Sequence, residues 1–108
     1  MVKKTKREFP PFKDYLLEQL KDPKDAQIYL DVAMEEYEQD GNMEAFLLAL
    51  RNVAKAQGGI SKLSRETDLA RESLYRTLSA NGNPRLDTLS LILKQLGLRL
   101  SVRLSDRG

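Results

Sequence analysis

The stretch "GGISKLSRETDLARESLYRTLSANGNP", residues 58–84, decides the fold. It holds two short amphipathic segments separated by a brief break. Leu63, Leu69, Leu74 and Leu78 mark one apolar side, and the small Ser64 stands where two helix backbones can come close. The spacing predicts helices over residues 60–67 and 71–79. The second opens with Arg71, Glu72, Ser73, Tyr75, Arg76 and Thr77 on the side away from the leucines, long or polar groups with little reason to be buried.

Four further helices flank this pair. Phe12, Tyr15, Leu16 and Leu20 follow helical spacing over about 11–21, and Pro23 prevents that helix from continuing. Asp22 is a good cap and Pro23 suits a first helical position, so a second helix carries Ala26, Leu30, Ala33 and Tyr37 inward before Gly41. Asn42 caps a third, whose face of Met43, Phe46, Leu47, Leu50, Val53 and Ala54 is closed by Gly58-Gly59. A sixth, after "NGNP", carries Leu86, Leu89, Ile92, Leu93 and Leu96 up to Gly97. Leu86, Leu89, Leu93, Leu96 and Leu100 match a heptad pattern, but one stretch interrupted by Gly97 is too short for a coiled coil. Beyond Gly97 the period changes to two: Leu98, Leu100, Val102 and Leu104 alternate with Arg99, Ser101, Arg103 and Ser105, which predicts a β-strand over 98–104. The chain offers that strand no second strand, so its expected role is to pair with its own copy or to extend a partner's sheet. The expected fold is therefore mainly α, a bundle of about six helices with one C-terminal β-strand. No internal repeat or low-complexity tract interrupts it.

With 108 residues, 41% of them hydrophobic and 31% charged, the chain is long enough for one modest core. It has no cysteine and no histidine, which removes disulfides, thiolate nucleophiles, the usual zinc ligand sets and the side chain best suited to proton transfer near neutral pH. No metal, cofactor or catalytic residue is expected. The carboxylates Glu35, Glu36 and Glu38 point in different directions around a helix and read as a solvated face. No apolar run is long enough to cross a bilayer and none follows the basic start, so a cytoplasmic protein without membrane contact is expected. The net charge of +2 hides a strong asymmetry. Residues 1–13 carry five basic and one acidic side chain, residues 14–57 four and ten, and residues 58–108 nine and five. Four segments follow: a disordered basic arm over 1–10 with Lys3, Lys4, Lys6 and Arg7; a partner-binding region over 11–57; a core over 58–97; and the strand over 98–104.

The major groove of DNA admits a helix whose N-terminal side chains reach base edges. Arg71 and Arg76 offer bidentate donors to guanine, and Glu72 an acceptor for cytosine. Ser61, Lys62, Asn81, Asn83 and Arg85, on the flanking turns, are placed to hold phosphates. The bland alternative is a solvated face with an Arg–Glu pair. Tyr75 is open between a DNA contact and packing against the sixth helix.

The string "GISKLSRETDLARESLYRTLSANGNPRLDTLSLILKQLGL" resembles the lambda-repressor-like (Xre type) helix-turn-helix. Together with "DYLLEQLKDPKDAQIYLDVAMEE" upstream, it is similar over about residues 12–104 to the addiction-module antidote family of type II toxin–antitoxin systems. The resemblance implies a lambda-repressor-like bundle. It also implies an antitoxin that binds a small basic RelE-like ribonuclease toxin and represses its own operon on a double-stranded DNA operator. A homodimer is expected from the unpaired strand and the two-fold operators such motifs read. By position it gives Arg71, Glu72 and Arg76 the base contacts, with Ser73 and Tyr75 in support. Two residues depart from the motif: Asp68 stands where glycine is usual in the turn, and Ala70 where a serine cap is common. Aspartate tolerates the left-handed conformation better than most residues. The alternative function is a stand-alone helix-turn-helix transcriptional regulator without a toxin.

Overall fold

The computed structural model describes residues 12–106 and contains six helices among them. These are α1 (Phe12–Gln19), α2 (Pro23–Asp40), α3 (Met43–Ala56), α4 (Gly59–Thr67), α5 (Arg71–Thr77) and α6 (Leu86–Gln95). The basic arm expected over 1–10 lies outside the described residues.

Local chemistry sets the helix ends. The Asp22 side chain accepts a hydrogen bond from the Lys24 backbone N–H at 2.9 Å, and Pro23 fills the first turn of α2. Such a cap contributes about 1 kcal/mol. At the other end Gly41 takes a left-handed φ of 71° and donates its N–H to the Tyr37 carbonyl at 2.7 Å. Asn42 then caps α3 by accepting from the Ala45 N–H at 3.3 Å. Gly58 and Gly59, with φ of 118° and 91°, turn the chain from α3 into α4, a backbone path closed to most other residues.

Helix α3 is the centre of the bundle. Its buried residues include Phe46, Leu47, Leu50 and Val53, and it packs against α1, α2 and α4, while α4 packs in turn against α5 and α6. Two polar bonds fix its neighbours. Asn52, nearly buried, donates from Nδ2 to the Tyr29 hydroxyl at 3.1 Å, which joins α3 to α2. The Gln57 Nε2 donates to the Leu20 carbonyl at 3.0 Å and ties the end of α3 to the α1–α2 turn. No buried side-chain nitrogen or oxygen among the described residues lacks a partner, as a stable core requires.

The mainly α architecture fits the expectation, but the C-terminal strand is absent. After Gly97, with φ of 82°, the Leu98 N–H closes the end of α6 on the Leu93 carbonyl at 2.8 Å, and residues 98–104 run on without strand pairing. Leu98 and Leu100 pack on the helical core, whereas Val102 and Leu104 are 98% and 95% exposed. The alternation therefore reflects one-sided packing of an extended segment at its start only. A strand also needs a ladder partner, and no other strand exists among the described residues.

Candidate functional site

The α4–α5 connection is a tight turn built by three side chains. Asp68 ends α4 in the left-handed conformation, φ 64°, and gives its N–H to the Ser64 carbonyl at 3.0 Å. The Thr67 hydroxyl donates to the Leu63 carbonyl at 2.7 Å and accepts from the Leu69 N–H at 3.2 Å. Ser64, expected only to be small, also donates its hydroxyl to the Leu69 carbonyl at 2.6 Å, a latch across the turn. Asp68 is the one non-glycine residue with positive φ among those described. Asp68→Gly should therefore stabilise the chain by about 0.5–1 kcal/mol. Asp68→Val should destabilise it, because a β-branched side chain resists this conformation. Thermal unfolding of the two variants checks both signs; a glycine variant that melts lower would show the turn is unstrained.

Helix α5 is only seven residues long and carries no side-chain cap at Ala70. So short a helix is held by its packing. Leu74 and Leu78 are 0% and 1% exposed, and the Arg51 Nε donates to the Leu78 carbonyl at 3.0 Å, anchoring the end of α5 to α3. Arg51 is a positioning residue that the sequence reading missed. In the sequence it stands with Glu44 and Lys55 among the polar positions of α3, with no local signal that sets it apart.

With its apolar side fixed, α5 turns Arg71, Glu72, Tyr75 and Arg76 to solvent, while Ser73 is half-buried. Tyr75 is 54% exposed. Glu72 and Arg76 lie one helical turn apart, yet neither they nor Arg71 form an ion pair. The pairs among the described residues are Lys21–Glu18, Lys62–Glu66 and Arg85–Asp87.

The phosphate candidates divide. Ser61, Asn81 and Asn83 are exposed. Lys62 is also exposed but lies 3.8 Å from the Glu66 carboxylate. Arg85 holds Asp87 through Nε and Nη2 at 3.3 and 3.2 Å. The Thr88 backbone N–H and, behind it, the Arg85 guanidinium keep the Asp87 carboxyl below its ordinary pKa. The turn from α5 to α6 closes with the Gly82 N–H on the Ser79 carbonyl at 2.9 Å. A side chain at Gly82 would collide with the Thr77 carbonyl, so the turn carrying Asn81 and Asn83 depends on that glycine.

The site thus joins Arg71, Glu72, Tyr75 and Arg76 on one short helix, with Asn81 and Asn83 on the turn that follows it. A family profile described as "Probable addiction module antidote protein" matches residues 12–104, which takes in all six helices and the segment after them. The chain belongs to this antidote family.

An uncharacterized protein of Haemophilus influenzae (strain ATCC 51907 / DSM 11121 / KW20 / Rd) is 35% identical over 94 residues, covering 86% of this chain and 92% of that protein. No solved structure matches the chain. Membership in an antidote family implies a toxin as partner. Among the described residues of this antidote-family chain, no helix is long and apolar enough to cross a membrane.

Proposed function

We propose that the chain is the antitoxin of a type II toxin–antitoxin module. It neutralises a small basic ribonuclease toxin of the RelE-like kind and represses its own operon. The repression works as a homodimer, through a helix-turn-helix made of α4, the 68–70 turn and α5. It acts by binding alone, without catalysis or cofactor, in the cytoplasm where operator and toxin are met. The observation that supports DNA reading is the set of unpaired side chains Arg71, Glu72 and Arg76, exposed on a helix whose other side is locked by Leu74, Leu78 and Arg51. Arginine matches guanine O6 and N7 bidentately, and a carboxylate accepts from cytosine N4. A dimer follows from the two-fold operators such motifs read, with half-sites about 34 Å apart.

Two measurements test the two halves of this reading. Binding to the chain's own promoter should fall steeply with salt, with a log–log slope of about −0.9 per phosphate contacted. A flat response rules out the DNA half. Co-expression with the neighbouring open reading frame should relieve that neighbour's toxicity. A neighbour that is harmless alone would leave a stand-alone regulator in place of an antitoxin.

A further inference from the structure

Ile28 and Val32 lie one helical turn apart on α2 and are 58% and 48% exposed, although the helix already buries Ala26 and Leu30 against the core. They line an open groove of about 450 Å³. Leu16 of α1 lines it as well, and α3 contributes only the alanines Ala45 and Ala49. Small side chains there leave room that a bulky apolar side chain from another molecule can fill. Two more exposed apolar residues stand within a turn of this lining in sequence, Tyr15 on α1 and Leu48 on α3.

The groove is also acidic. Asp25 and Glu36 line it and lie in register with Ile28 and Val32 along α2, at successive spacings of three, four and four residues. Helix α2 carries six carboxylates against Lys24 alone, and its last turn has no cation. Acidic side chains at a helix C-terminus oppose the helix dipole, so Glu38 gains nothing from its place there, whereas Asp40 accepts the Asn42 N–H at 2.8 Å in the turn that follows.

We infer that this groove is the docking site of the toxin, a small basic protein that seats apolar side chains flanked by lysines or arginines against Ile28 and Val32. The inference rests on the antitoxin reading above. A nuclease that handles the phosphates of RNA needs a cationic surface, and an acidic rim around an apolar centre complements one. A second copy of this chain fits worse: an isologous contact through the groove brings identical carboxylates toward each other. No residue of the groove belongs to α4, α5 or α6, so toxin and operator would use separate surfaces.

The test uses the full chain and, as probe, the purified product of the open reading frame beside its gene, with binding followed by titration calorimetry. Ile28→Asp with Val32→Asp should weaken binding at least about thirtyfold, the loss typical of central interface residues. Asp25→Lys with Glu36→Lys should weaken binding and flatten its salt dependence, read from titrations at two salt concentrations. All but Asp25 of these residues are exposed, so operator binding and thermal unfolding should stay close to wild type and report an intact fold. If the wild type binds the neighbour and both double variants bind it as tightly, the docking site is wrong while the antitoxin reading survives. If the wild type binds no neighbour, both fall. Should the Ile28/Val32 variant keep its toxin affinity and lose self-association in sedimentation, the groove is a seam between copies and the proposal is overturned.

Discussion

Changing Arg71 or Arg76 to alanine is expected to raise the operator Kd roughly five- to 150-fold each, a loss of about 1–3 kcal/mol, and to relax base preference at the positions they read. The expectation comes from what these side chains do in the free protein. Both are exposed and neither is engaged in an ion pair, so truncation removes no intramolecular contact of that kind and folding stability should hardly change. Affinity loss can then be assigned to the interface. Arg85 supplies the contrast. Its guanidinium is already held by Asp87 at 3.2–3.3 Å, so Arg85→Ala should cause a smaller loss, similar on specific and random DNA. Fluorescence anisotropy with both kinds of duplex, at two salt concentrations, separates the patterns. Wild-type affinity in both single arginine variants would mean that α5 does not read bases.

How much of this was legible in the sequence depends on the range of the interactions that decide each feature. The boundary between α1 and α2 was readable because Asp22 and Pro23 act within one turn, and the stop at Gly41 because a left-handed end is a property of one residue. The left-handed turn residue was readable too: Asp68 stands in the motif's glycine position and takes φ 64°. Features that depend on distant partners were not. The period-two run after Gly97 looks like a strand locally, but a strand is defined by a neighbour, and none lies among the described residues. Arg51 reaches a carbonyl 27 residues away, and nothing in the flanking sequence announces that bond. The exposed groove sits between these cases. Ile28 and Val32 lie off the Ala26–Leu30–Ala33–Tyr37 stripe, so a second apolar row on α2 was visible, but its lack of cover is a fact of packing.

The largest stability loss is expected from Leu74→Ala. Leu74 is fully buried and stands at the middle of α5, which is too short to persist without the tertiary contacts of its apolar side. Removing three buried carbons costs about 2–5 kcal/mol, depending on how far the cavity collapses. For a domain whose whole stability is on the order of 5–15 kcal/mol, that shifts the midpoint of thermal unfolding by roughly ten degrees or more. The loss should also be unevenly distributed. Leu47, Leu50 and Val53 stay packed in α3, so amide exchange should accelerate most in α5 and in the turn that Gly82 closes, while α3 keeps the slowest amides. Operator affinity should fall with it even below the melting temperature, because Arg71 and Arg76 reach a duplex together only while α5 is held in place. Glu18→Ala, which removes an exposed pairing with Lys21, should leave both quantities unchanged and serves as the surface control. If Leu74→Ala melts within two or three degrees of wild type, α5 is not the anchored element described above. If it melts early yet binds operator with undiminished affinity when folded, the arginines of α5 do not depend on its packing for their placement, and base reading must come from another part of the chain.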